Sequence, residues 1–187
     1  MRLDRRCWLA AALPLPFAAC LRSNLPDYGT VPPFELTDQG GAKFLSAERL
    51  AGRIWVAAFI FTTCNGPCPR MTAQMKKIQD ATSAADLLLV SFTIDPKHDT
   101  PERLAGYAAR FKADPRRWSF LTGDTATLRR LGVDVFHLAD PQEKLAHSSR
   151  FALVDKRGRI RGYYDTALSG AIEEILADID KVRGEWL

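Results

Sequence analysis

The sequence predicts an α/β sandwich, a central mixed sheet flanked by helices, and three observations carry that prediction. Residues 54–61 and 87–94 are continuous apolar runs rich in branched and aromatic side chains, the pattern of strands buried on both faces. Each run is followed by a stretch with helical periodicity. Residues 151–154 and 160–164 flank Asp155-Lys156-Arg157-Gly158 and read as a hairpin.

The elements follow in order. Residues 21–33, with Pro26, Pro32 and Pro33, read as an extended tether leading to a first strand near residues 34–36. Residues 46–50 form a short helical turn before the first buried run. Met71, Met75 and Ile78 recur at i, i+4 and i+7, so residues 67–82 read as a helix with one apolar face. Asp99-Thr100-Pro101-Glu102 is a helix start, with Thr100 as N-cap and proline in the first position. Leu104, Tyr107, Ala108 and Phe111 make the buried stripe of that helix. A third short strand spans 118–121, and Asp124 caps a helix expected to end around Gly132. Leu168, Ile172, Ile175, Leu176, Ile179 and Val182 give a closing amphipathic helix. This order of elements is that of a thioredoxin-like sandwich with an extra helical crossover.

At 187 residues and 47% hydrophobic the chain suits one domain with a full core. Apolar content excludes a disordered chain, and no apolar run approaches the roughly 20 residues needed to span a bilayer. The net charge of +4 owes half its value to Arg2, Arg5 and Arg6 against Asp4, so the body carries +2. Its basic residues alternate with acids, which argues against a nucleic-acid partner.

The amino terminus has the layout of an export signal, a positive start followed by about a dozen mostly apolar residues from Trp8 onward. It ends Phe17-Ala18-Ala19-Cys20, which resembles a bacterial lipobox with Phe17 in place of the usual leucine. The expectation is a signal peptide over 1–19, lipidation of Cys20, a tether over 20–33 and a domain over 34–187. That places the protein in a bacterial cell envelope, anchored to the membrane and facing the periplasm. Cleavage before Cys20 removes Cys7 and leaves Cys64 and Cys68 as the thiols of the domain. A disulfide closing so short a loop stabilises little through chain entropy, so chemistry is the better reason for the pair.

Phe61-Thr62-Thr63-Cys64-Asn65-Gly66-Pro67-Cys68-Pro69 sets both thiols between a buried strand and the next helix. A helix amino terminus favours thiolate, most strongly at Cys68. Two thiolates at this spacing can close a disulfide or hold one soft metal ion. The histidines are His98, in a turn before a helix and expected to face solvent; His137, expected in a strand-like edge; and His147, ahead of a strand and 79 residues beyond Cys68.

Three blocks together resemble the Sco/SenC family of copper chaperones, tethered thioredoxin-like proteins that serve cytochrome c oxidase assembly. They are residues 61–69, the segment Ile94-Asp95-Pro96-Lys97-His98-Asp99-Thr100-Pro101-Glu102, and His147-Ser148 with residues 151–155. The resemblance implies Cys64, Cys68 and His147 as ligands of copper, as Cu(I) or Cu(II). It implies delivery of copper to the dinuclear copper site of the oxidase, with the copper-site subunit and other copper carriers or thiol–disulfide oxidoreductases as partners. Asn65 and Ala146 depart from the family's usual proline and acid at those places. The alternatives are a thiol–disulfide reductase that keeps the oxidase cysteines reduced through the Cys64–Cys68 redox pair, and a copper or redox sensor.

Overall fold

The computed structural model describes residues 24–82, 87–139 and 148–186. Cys7, Cys20 and His147, together with the expected signal peptide, lie outside the described residues.

Seven strands form one mixed sheet in the order β2-β1-β5-β4-β3-β6-β7. The outer hairpin pairs β1 (Glu35–Asp38) with β2 (Lys43–Leu45), a strand not anticipated from sequence. Its turn depends on Asp38, whose carboxylate accepts from the backbone N–H of Gly40 and Ala42. Gly41 supplies a φ of +79° there. The middle of the sheet is β3 (Ile54–Ile60), parallel to β4 (Leu87–Thr93), which is parallel to β5 (Trp118–Thr122). On the other side β3 pairs antiparallel with β6 (Arg150–Val154), which forms the expected hairpin with β7 (Ile160–Asp165). β1 meets β5 at only two positions, and the Gln39 side chain continues the edge by donating to Trp118 O and accepting from Phe120 N.

All seven residues of β3 are buried because both faces of the sheet are covered. Ile54, Val56, Ala58 and Ile60 face α2 (Pro67–Ala81), α3 (Pro101–Arg110) and α5 (Ala171–Gly184). Trp55, Ala57 and Phe59 face a second core with Leu128, Leu131 and Phe136. The short α1 (Ser46–Arg49) stands where a helical turn was expected. Phe59, Phe92 and Phe136 pack with ring centroids 5.0 to 5.9 Å apart. Each such ring stabilises the fold by about 1.5–3 kcal/mol relative to exposure.

Sequence expectations at Gly132, His137 and Leu168 differ from the structure. Asp124 does cap α4 (Thr125–Arg129), accepting from Thr127 N at 2.8 Å. The chain does not stop at Gly132, however, but widens into a π-helical turn over Arg130–Val135. Gly132 serves close packing instead, since a Cβ there would lie 3.0 Å from Ala139 Cβ and 3.2 Å from the Phe59 ring. His137 is not in a strand edge; it is exposed, with a φ of +50°. Leu168 precedes α5 and is 66% exposed, whereas Ile175, Ile179 and Val182 are fully buried.

The parallel strands β3, β4 and β5 all end at one pole of the sheet, where the cysteine loop begins. β6 also starts there, while β7 starts and α5 finishes at the opposite pole. The stretch read as a tether is docked at that opposite pole. Thr30 bridges Arg159, Tyr28 N donates to Ile160 O at 2.9 Å, and Val31 N donates to Gly158 O at 2.8 Å. Buried Arg161 donates to the carbonyls of Leu25 and Pro26 while pairing with Asp155 and Glu185.

Candidate functional site

The site lies beyond the carboxyl ends of β3 and β4, the customary location for functional groups in a sheet with parallel centre strands. From β3 the chain leaves through Phe61 and Thr62, turns with Cys64 N donating to Phe61 O, and enters α2 at Pro67. Proline is favoured in the first helical turn because the missing N–H would have had no partner. Gly66 occupies the N-cap position and makes no side-chain cap.

The loop is held by Asp99. This carboxylate has no exposed surface and accepts from Thr62 N at 3.1 Å, from the Thr62 hydroxyl, and from the Thr93 hydroxyl at 2.5 Å. Thr93 Oγ1 in turn accepts from Asp95 N at 2.9 Å. One side chain therefore joins the exit of β3, the end of β4 and the start of α3. A buried carboxylate is costly unless its lone pairs are filled, and here an N–H and two hydroxyls fill them. Thr100 caps α3 as expected, with Arg103 N donating to its hydroxyl. Sequence reasoning took the whole segment as a helix start and missed the role of Asp99. The available signal was an acid one residue before a helix already capped by Thr100.

Cys64 is partly buried, Cys68 is fully buried, and the two are not joined in a disulfide. They lie within hydrogen-bonding reach of one another. Burial, then the hydrogen bond with Cys64, pushes the Cys68 thiol well above its ordinary pKa. This reverses the expectation that the helix terminus would make Cys68 the readier thiolate: desolvation of the charged form outweighs the favourable dipole. Behind Cys68, the Thr72 hydroxyl donates to Cys68 O at 2.8 Å and stands 3.0 Å from the Tyr107 hydroxyl. With its one proton directed at the carbonyl, Thr72 accepts from Tyr107. Burial raises Tyr107 to a pKa of about 12, so its hydroxyl stays protonated.

His98 is largely exposed and its Nδ1 lies 2.8 Å from Asp95, as a solvent-facing turn residue would. Neither His98 nor His137 joins the cysteines, for among the described residues no three His, Cys, Asp or Glu side chains gather as a metal site. The arrangement brings together Cys64 and Cys68, two soft donors at the mouth of a helix. It can bind a soft ion after losing thiol protons, or close a disulfide.

Solved structures share this arrangement of elements. A SCO1/SenC family lipoprotein from Bacillus anthracis is 32% identical, with a TM-score of 0.75 over 82% of this chain and 95% of that one. BsSco, described as a member of the Sco family of cytochrome c oxidase assembly proteins with a disulfide switch, is 30% identical. Its TM-score is 0.74 over 88% of this chain and 98% of that one. ScoI of Bradyrhizobium japonicum, solved with copper bound, is 23% identical and has the same fold, with a TM-score of 0.67 over 82% of this chain and 99% of that one. Residues 23–183 match the SCO1/SenC family profile, and the chain belongs to the SCO1/SenC family.

Proposed function

We propose that the protein is a copper-binding metallochaperone that takes up one copper ion through Cys64, Cys68 and His147 and delivers it to the dinuclear copper site of cytochrome c oxidase. The observation that carries this reading is the pair of thiols within hydrogen-bonding reach, one buried and one partly exposed, on a loop fixed by Asp99. Two sulfurs suit Cu(I), and an imidazole extends the set to Cu(II). His147 stands three residues before β6, whose pairing with β3 starts at the cysteine pole, and this supports it as the third donor. Three protein ligands leave a position through which a target can take the ion by ligand exchange. The domain works at a membrane surface, anchored through lipid on Cys20 and facing the periplasm. Copper-bound ScoI and the Bacillus anthracis lipoprotein are relatives whose descriptions agree with this reading.

The test is anaerobic copper titration of the domain from residue 21, wild type against Cys64→Ser, Cys68→Ser and His147→Ala. One copper per chain is expected. Either serine variant should lose at least about a hundredfold in affinity, because each removes a thiolate from a three-ligand site. Stoichiometric binding by the double serine variant would sink the assignment. The same two thiols favour a second reading, a thiol–disulfide reductase, which needs both cysteines but has no use for His147. Disulfide reduction that needs both cysteines and, like copper affinity, is unchanged in His147→Ala would select that reading.

A further inference from the structure

We propose that the pole opposite Cys64 and Cys68 is the face the domain lays against a membrane surface bearing anionic headgroups, so that the cysteine loop points away from the bilayer. The proposal rests on the lipid anchor at Cys20 and adds to it a face and an orientation.

Reach supplies the first argument. The chain is tied to the body from Leu25 onward, through Arg161 and the bridge at Thr30. Leu25 is five residues from Cys20, so an anchor there holds it within about 18 Å of the lipid. The cysteine loop stands beyond the far end of β3, a strand of seven residues and so roughly 23 Å long. A tether that short presents the docked pole to the bilayer first.

Surface chemistry supplies the second. The large apolar side chains exposed among the described residues are Tyr28, Leu168 and Trp186. Leu168 is at the cysteine pole, but Tyr28 and Trp186 are on the docked pole, and tyrosine and tryptophan favour the level of lipid headgroups. Arg157 lies over the Trp186 ring at 4.9 Å, which brings a cation to the same patch. Beside it is an open slot of about 270 Å³ whose floor includes Val31, Phe34, Leu50 and Trp55 and whose rim carries Lys156 and Arg157. Apolar floor and cationic rim match the acyl and phosphate parts of an anionic phospholipid. Two acids of this pole, Asp155 and Glu185, turn inward onto Arg159 and Arg161, while the more exposed Asp27, Asp80 and Asp180 pair with Arg159, Lys76 and Arg183, and Glu48 is exposed on α1.

The experiment uses the full chain, with Cys7, Cys64 and Cys68 replaced by serine, produced in a bacterium and reconstituted in phosphatidylglycerol-containing vesicles. One thiol is introduced for a fluorescent label, by Ala51→Cys at the docked pole or Lys97→Cys at the cysteine pole; both positions are exposed. Nitroxide lipids should quench the label at 51 at least about fivefold more strongly than the label at 97. Equal quenching, stronger quenching at 97, or none at either position would overturn the proposal. The mass of the mature chain reports separately on the anchor, and an unlipidated chain refutes that reading alone. In that event the same two labels, with Cys20→Ser added, are mixed with the vesicles: quenching confined to 51 supports the face, and any other pattern overturns it.

Discussion

The two poles of the sheet are secured in opposite ways. At the cysteine pole one buried carboxylate, Asp99, gathers neutral donors from Thr62 and Thr93. At the other pole Asp155, Arg159, Arg161 and Glu185 form a charged network, three of its members at most 9% exposed in their side chains, that clamps a segment about 130 residues distant in sequence. The contrast follows from what each pole has to do. A clamp gains from charge, because every partner that leaves strands another in a dry environment. A site built from two thiols gains from a loop held in place, and Asp99 holds it through hydrogen bonds from neutral partners.

The largest expected effect tests the clamp. Arg161→Ala leaves Asp155 and Glu185 buried against fewer cations and frees Leu25 and Pro26, so urea unfolding should show a loss of about 3–5 kcal/mol. Copper affinity of the folded fraction should stay within about threefold of wild type, since the clamp stands a strand length from the sulfurs. A stability change below about 1 kcal/mol would mean that solvent already carries the network, and the contrast between the poles would break.

Asp99→Ala should produce the reverse pairing of effects. It leaves the hydroxyls of Thr62 and Thr93 and the N–H of Thr62 without their acceptor, at a cost of about 2–3 kcal/mol. The cysteine loop loses its attachment to β4, so copper affinity should fall at least about tenfold, measured in the same titration. Asp99→Asn retains an acceptor oxygen and should recover part of both losses. An Asp99→Ala variant that binds copper as well as wild type would show that the loop is positioned by α2 alone.

A smaller effect appears at alkaline pH. Tyr107, behind Cys68, has a pKa of about 12 in the folded chain against 10 when unfolded. Between those values the folded state keeps a proton that the unfolded state has lost, so stability is complete below pH 10 and falls as pH rises toward 12. The contribution is about 3 kcal/mol. Tyr107→Phe should flatten that part of the pH profile in thermal unfolding, and an unchanged slope would place the alkaline sensitivity in Cys68, Tyr163 or Tyr164, whose pKa values burial also raises.

Local pattern was enough for much of the molecule. Continuous apolar runs become strands when both faces are covered, so β3, β4, β5 and the β6–β7 hairpin were legible, as were α2, α3 and the caps at Thr100 and Asp124. The same local reading placed Cys64 and Cys68 at a strand–helix junction, because the run before them and the periodicity after them are both written nearby in the chain. The three residues of β2 were too few to show a period, and its pairing depends on a turn organised by Asp38.

What only the tertiary structure decided involves partners far apart in sequence or the balance of burial against charge. Asp99 meets Thr62 across 37 residues and Arg161 meets Leu25 across 136, and no local pattern encodes such encounters. Gly132 has the sequence signature of a helix end, yet the approach of Phe59 and Ala139 is what requires its missing side chain. Cys68 shows the physical reason most plainly. Its place in the first turn of α2 is a property of sequence and favours a thiolate, whereas the depth at which that turn packs against the sheet is a property of the fold, and the cost of burying charge prevails.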